Sequence, residues 1–233
     1  VFIMNTQLPC PFCSSKKGYV YTQSHYQCLE CKRVVDDCCN GEVASCNPQK
    51  DLNENIKSNF SKNFENDQLS LIQAKRGDFD NLYFIASDDE IWEQHPENDR
   101  WKKNKFSIFF DNGILNEFGM LIIYLKPKNE IIGSTRFYSL DPKDNAIRIG
   151  YTFIIKKYWG TKLNLLTKDL MINYTFKFLD KIYFDIGTQN YRSRKAIEKI
   201  GAHLFKDDED GKVVYKLIKK DYVNNECSKQ QIV

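Results

Sequence analysis

The chain has 233 residues and a mass of 27.4 kDa, enough for one domain with a sizeable core plus a small appendage. Hydrophobic residues make up 42% and aromatics 14%, so a packed core can be built, yet no run approaches the roughly 18 uninterrupted apolar residues of a membrane span. Net charge is +3 with both signs interspersed, which leaves no charge block of the kind that coats nucleic acid.

The N-terminus lacks the basic start, apolar run and small-residue cleavage site of a secretory signal, and the expected location is cytoplasmic. Val1, Phe2 and Ile3 precede Met4 and are left out of the expected fold. Seven of the eight cysteines then fall between Cys10 and Cys46, with fourteen residues separating Cys10-x-x-Cys13 from Cys28-x-x-Cys31. Each Cys-x-x-Cys turn sets two thiolates on one side of a tight loop, and two such turns complete the tetrahedron that zinc prefers. Tyr19-Val20-Tyr21 and His25-Tyr26-Gln27 read as hairpin strands between these knuckles. Together these residues, from about 8 to 37, resemble a zinc ribbon, within a metal-binding module expected over 8–46. So small a unit has little apolar burial, and metal would supply on the order of ten kcal/mol of its folding free energy. A disulfide framework and a redox centre are the alternatives, and without a secretion signal the paired motif favours metal. Cys38, Cys39 and Cys46 read as filler or spare thiols, Cys227 as a surface thiol, and His25 and His203 as structural.

From 47 to 67 the chain is polar, with Leu52, Ile56, Phe60 and Phe64 recurring every four residues, a pattern for either a short amphipathic helix or a loose linker. A larger α/β domain is expected over 68–222. Asp89 to Pro96 holds the carboxylate of Glu93 and the imidazole of His95, whose unperturbed pKa suits neutral pH, and a solvated loop around a packed Trp92 is the more frequent explanation of such a segment. Arg100-Trp101 and Phe109-Phe110 begin and end an expected helix.

Ile147, Ile149, Tyr151, Phe153 and Ile155 alternate with Arg148, Gly150, Thr152 and Ile154, the period that turns one strand face into a core. Gly150 interrupts this strand, and a glycine there marks a bulge or close approach where neighbouring strands can splay. Lys156, Lys157 and the turn Tyr158-Trp159-Gly160-Thr161 follow, and a helix over about 163–179 offers unsatisfied N–H groups and a positive dipole end beside Gly160. Phosphates bind such places. A second strand over 181–186, Asn190, and a helix over 191–200 capped by Gly201 complete the block, with Ser193, Ala196, Ile197 and Ile200 on one helix face.

Here the residues resemble a family. Ile132-Gly133-Ser134-Thr135-Arg136, Tyr158-Trp159-Gly160-Thr161 and Asn190-Tyr191-Arg192-Ser193 resemble motifs of the GNAT acyl-CoA N-acyltransferases, and the branch that looks most alike is the ribosomal-protein-alanine acetyltransferases. Ile72-Gln73-Ala74, then Gly77-Asp78-Phe79 and a helix to Ala86, look like the family's first strand and helix, so the similarity spans about 68–219. The resemblance implies an α/β (α+β) GNAT fold, a mixed and mostly antiparallel sheet flanked by helices, behind a small zinc ribbon. It implies transfer of an acetyl group from acetyl-CoA to a primary amine, a protein N-terminus or a small molecule. Acetyl-CoA would be held by Phe153, Ile154, Ile155, Lys157, Tyr158, Trp159, Gly160, Thr161, Lys162, Leu163, Asn190 and Ser193. Backbone N–H groups of Phe153 to Ile155 would polarise the thioester. Ser193 and Tyr191 would donate to the departing thiolate, and Glu93 or His95 would serve as base. The ribbon, with Zn2+ on Cys10, Cys13, Cys28 and Cys31, would recruit the acceptor or an RNA. Lys162 stands where the family's phosphate loop has a second small residue, which keeps open an alternative: a zinc-ribbon adaptor with a catalytically degenerate CoA-binding domain.

Overall fold

The computed structural model describes residues 10, 13–22, 25–36, 57–207 and 211–222, with the backbone of Ile3–Met4, and the chain divides into the units Val1–Leu52 and Asn53–Val233. Among the described residues, no helix is long and apolar enough to cross a membrane. Leu52, Ile56, Cys38, Cys39, Cys46 and Cys227 lie outside them.

The first unit is a four-stranded sheet, β1 (Ile3–Met4), β2 (Tyr19–Thr22), β3 (His25–Cys28) and β4 (Val34–Asp36), paired in that order. The expected hairpin is β2–β3, running from Tyr19↔Cys28 to Thr22↔His25. Ile3, left out of the fold on sequence, pairs with Val20 as part of an edge strand. Isolated residues at a terminus gain a place in a sheet through backbone hydrogen bonds, which sequence pattern does not register.

The second unit is built on an eight-stranded, mostly antiparallel sheet. Its strands are β5 (Phe64–Glu65), β6 (Leu69–Gln73), β7 (Leu121–Leu125), β8 (Glu130–Asp141), β9 (Ala146–Ile154), β10 (Lys181–Gly187), β11 (His203–Asp207) and β12 (Lys212–Ile218), in the order β11-β12-β10-β9-β8-β7-β6-β5. Helices α1 (Phe79–Ala86) and α2 (Lys103–Ile114) bury Leu82, Phe106, Phe109 and Phe110 with Met120, Ile122 and Phe153 in one cluster. Helices α3 (Leu163–Thr175) and α4 (Tyr191–Glu198) bury Met171, Ile172 and Ile197 with Leu71, Ile123, Phe137, Ile147, Ile149 and Ile182 in another. Alternating strand residues feed the two clusters, as the pleat requires.

The four-residue apolar spacing of 52–64 does not continue as a helix. Residues 57–60 are helical, but Phe64 enters β5, because Asn66 Oδ1 accepts the N–H groups of Gln68 and Leu69 and closes a β5–β6 turn. Phe60 is fully buried edge-on to Phe118, Phe137 and Tyr174. Arg100 lies ahead of α2 in a turn closed by its N–H to Glu97 O, and α3 ends four residues before the expected Leu179, although Phe176 and Leu179 remain buried in the turn that follows.

The decisive irregularity is in β9. Arg136 pairs with Gly150 and Ser134 with Phe153, so Tyr151 and Thr152 together oppose Thr135. This is a β-bulge, and it sits one residue beyond Gly150, on Tyr151, whose φ is 52°. The extra residue reverses the parity of the strand. Ile147 and Ile149 share a cluster with Ile154, while Phe153 faces the α1–α2 side, so the simple alternation expected from sequence holds only up to the bulge. Gly150 has a different use, since a Cβ there would lie 3.0 Å from the Tyr138 ring.

Candidate functional site

β9 and β10 run parallel but pair over three residues, Ala146↔Lys181, Ile147↔Ile182 and Arg148↔Tyr183. Beyond the last pair they diverge, and a cavity of about 490 Å³ fills the gap and reaches Gly160. Ile155 donates its N–H to Ile132 O at 2.9 Å across to β8. By antiparallel alternation the backbone of Ile154 then faces away from β8, into the gap. Its carbonyl is taken by the Trp159 indole N–H at 2.8 Å, and on the side its N–H faces, β10 pairs with β9 only at residues 146–148 and so offers it no strand partner. The gap therefore contains a fixed backbone donor.

The far end of the cavity is the turn before α3. Gly160 has a φ of 75° and would admit no strain-free side chain, and no atom lies within 4 Å of where its Cβ would be. The Thr161 hydroxyl accepts the Leu163 N–H at 3.3 Å and donates to Tyr158 O at 2.7 Å, fixing the turn. Lys162 is exposed with a φ of −76°, a conformation open to any L-residue, so the backbone there makes no demand for glycine. Of the residues named on sequence, Phe153, Ile154, Tyr158, Trp159, Gly160, Thr161, Asn190 and Ser193 line the cavity. Ile155, Lys157, Lys162 and Leu163 are not among its lining residues: Leu163 is buried in the core, and Lys157 pairs with Glu130 at 3.0 Å.

Asn190 and α4 form the opposite wall. The Asn190 side chain caps the helix by accepting the Ser193 N–H at 3.1 Å, and Gln94 Oε1 accepts that of Arg192 at the same distance. Ser193, Ala196, Ile197 and Ile200 all border the cavity, as their common helix face requires. Tyr191 is half-exposed, with its hydroxyl on Gln189 Oε1 at 3.0 Å, and is not a lining residue.

Residues 88–101 contribute Ile91, Trp92, His95 and Arg100 to the lining. Trp92 is buried with its indole N–H on Ala86 O at 2.8 Å, and Pro96 sits where a Gly187 Cβ would come within 2.6 Å of it. His95 lines the cavity, whereas Glu93 is exposed outside it. The His95 Nδ1 accepts the Glu97 N–H at 2.9 Å, and Arg100 Nη1 lies 3.2 Å from Nε2. Burial, reinforced by the Arg100 charge, pushes the His95 pKa down to about 4, so the ring is neutral at pH 7.

A family model described as "Acetyltransferase (GNAT) domain" matches residues 68–203. The chain belongs to the GNAT family. Solved structures agree in fold. A GCN5-related N-acetyltransferase from Brucella melitensis matches 73% of this chain and 85% of its own at 15% identity, with a TM-score of 0.63. A probable GNAT acetyltransferase from Chromobacterium violaceum matches 70% and 89% at 14% identity and a TM-score of 0.62. The spermidine N-acetyltransferase from Vibrio cholerae, solved with CoA and spermine, matches 68% of this chain and all of its own at 16% identity and a TM-score of 0.52. No curated protein matches the sequence. GNAT acetyltransferases carry out acyl transfer from acetyl-CoA to an amine, and the splayed β9–β10 pair is where this GNAT domain opens.

One group in this GNAT cavity escaped the sequence reading. Lys168 lies on α3 at 6% exposure, among the lining residues, and its Nζ donates to Thr152 Oγ1 at 2.6 Å. Thr152 is in turn 2.8 Å from Thr135 Oγ1. Burial alone lowers the lysine to about 7. The available signal was its place three residues after Leu165 and three before Met171, a cation in the apolar stripe of a helix.

In the first unit, the Sγ atoms of Cys10, Cys13, Cys28 and Cys31 lie within 4.8 Å of one another. Cys10–Cys31 and Cys13–Cys28 are 3.8 and 3.7 Å apart, too far for disulfides. A tetrahedral ion with bonds of about 2.3 Å to sulfur has S···S edges of about 3.8 Å, so the donor set fits one such ion. The two knuckles repeat each other. Ser14 donates to Cys10 O at 2.8 Å and Lys32 to Cys28 O at 3.0 Å, and both residues have a φ near 59°, at 58° and 59°.

Proposed function

We propose that this GNAT protein acetylates a primary amine, either a protein N-terminus as in the ribosomal-protein-alanine branch or a small molecule, behind a zinc ribbon that recruits the acceptor, protein or RNA. The observation that carries the catalytic part is the three-residue β9–β10 pairing with the Ile154 N–H left facing the gap. Acetyl-CoA supplies the acyl group as a thioester. The turn around Gly160 and the start of α3 suit its phosphates, and Asn190 suits its pantetheine arm. The Ile154 N–H is placed to stabilise charge developing on the acyl oxygen, a contribution worth a few kcal/mol.

In the reaction a C–N bond forms, a C–S bond breaks, and the amine loses a proton while the thiolate gains one. Ser193, in the cavity wall, is the assigned donor to the thiolate, with Tyr191 second. For the amine proton, His95 is held neutral but weakly basic, whereas Lys168 titrates near 7 and is already joined to the cavity through Thr152. We assign proton acceptance to Lys168 through the Thr152 hydroxyl. Glu93 keeps no role in this reading, because it lies outside the cavity.

Zinc on Cys10, Cys13, Cys28 and Cys31 would hold the ribbon together, and the four reduced thiols it needs suit a cytoplasmic location. The test of the enzyme reading is thermal melting with and without acetyl-CoA, followed by release of free thiol in the presence of amines. Stabilisation together with amine-dependent thiol release is expected. Neither effect would leave the adaptor alternative standing.

A further inference from the structure

A second cavity, of about 550 Å³, lies against α2 and shares Arg100 and Tyr151 with the first. Of the two arginines that line it, one has no counter-charge among the described residues. Arg136 is 3% exposed, and its guanidinium stacks 3.8 Å over Tyr151 and 5.0 Å from Phe109. It has no hydrogen bond or ion pair among the described residues, and its Nε is buried without a partner. The carboxylates that border this cavity are each paired with a cation other than Arg136. Glu97 pairs with Arg100, and Glu117 pairs with Lys57 at 3.1 Å. Asp185, reached by Tyr138 from the same region, is held by Arg148 at 2.9 Å. A buried cation is costly unless something neutralises it, and burial, aided by Arg100, lowers even this guanidinium to about 10.

Resting on the acetyltransferase reading above, we infer that the acceptor amine also carries an anionic group, carboxylate or phosphate, which Arg136 receives in this cavity. The planar fork of a guanidinium matches either group with two parallel hydrogen bonds. The Phe109 and Tyr151 rings pack against the guanidinium without taking its N–H groups in hydrogen bonds, which leaves those donors for the ligand. Tyr151 belongs to the bulge itself, so an acceptor whose anion sits on Arg136 reaches the gap past the residue that opens it. Acceptors with positive tails are disfavoured by the same charge.

The test uses the full chain and a series of ω-amino acids of graded length, their carboxamides, the matching aminoalkyl phosphates and a diamine. For the best acid, kcat/KM should exceed that of its amide by on the order of 10- to 100-fold, the worth of a charge-assisted hydrogen-bond pair. Arg136→Met should bring that ratio to about one, and Arg136→Lys should retain part of it, so a general loss of folded protein cannot imitate the result. Whether the carboxylates or the phosphates lead identifies the anion. The same compounds are scored by thermal stabilisation. If nothing is acetylated, the transferase reading fails, while acid-specific stabilisation lost in Arg136→Met still upholds the anion site. Amides or diamines used as well as acids, or an acid preference that survives Arg136→Met, would overturn the inference.

Discussion

The two units of this chain are built on opposite principles. The GNAT domain buries two large apolar clusters around an eight-stranded sheet, whereas the first unit combines four clustered sulfurs with a four-stranded sheet of two- to four-residue strands. One unit draws its stability from area removed from water, and the other, on the reading proposed above, would draw it from bonds to an ion. The lesson is that their failures should be separable.

The strongest way to break the comparison is metal removal. A zinc chelator should cost the proposed ribbon about 10 kcal/mol or more and unfold it, and Cys10→Ser should weaken it in the same direction, while the GNAT domain keeps its thermal transition. Metal analysis with calorimetry checks this, and a single shared transition lost on chelation would refute it. The converse is Phe60→Ala. Its ring is fully buried among aromatics, so about 3–5 kcal/mol should go from the GNAT domain with bound zinc unchanged.

Lys168 sharpens the contrast within the GNAT domain. Its folded pKa, near 7, lies below the unfolded value, so the unfolded chain binds more protons between them. Stability should therefore rise as pH rises from about 7 towards the unfolded lysine value, and the penalty is fully present below 7. Lys168→Met should flatten that slope, add up to a few kcal/mol near neutrality, and remove a limb near pH 7 from the rate profile. Urea melts across pH, compared with rates, decide it: an unchanged slope would mean that the lysine is solvated. The smallest effect belongs to Asn190→Ala, which deletes the α4 cap for about 1 kcal/mol and should weaken acetyl-CoA binding in titration calorimetry.

Spacing made much of this legible. The Cys-x-x-Cys pairs announced a donor set, and the run from Ile147 to Gly201 announced strand, turn, helix, strand, helix in the observed order. What stayed hidden depends on tertiary context. A tyrosine rarely takes a positive φ, so Gly150 drew the expectation of a bulge that Tyr151 carries. Phe64 kept a helical spacing while the Asn66 turn moved it into the sheet. Lys168 and Arg136 are buried cations, and sequence assigns lysine and arginine to the surface unless a fold says otherwise.

The left-handed residue at position 151 also has a kinetic consequence. Tyr151 borders two separate hollows, so with the thioester in one and the amine in the other, as proposed above, neither reactant would block the other's entry. Initial-rate lines for the two reactants should accordingly intersect rather than run parallel, since both must be seated at once before anything leaves.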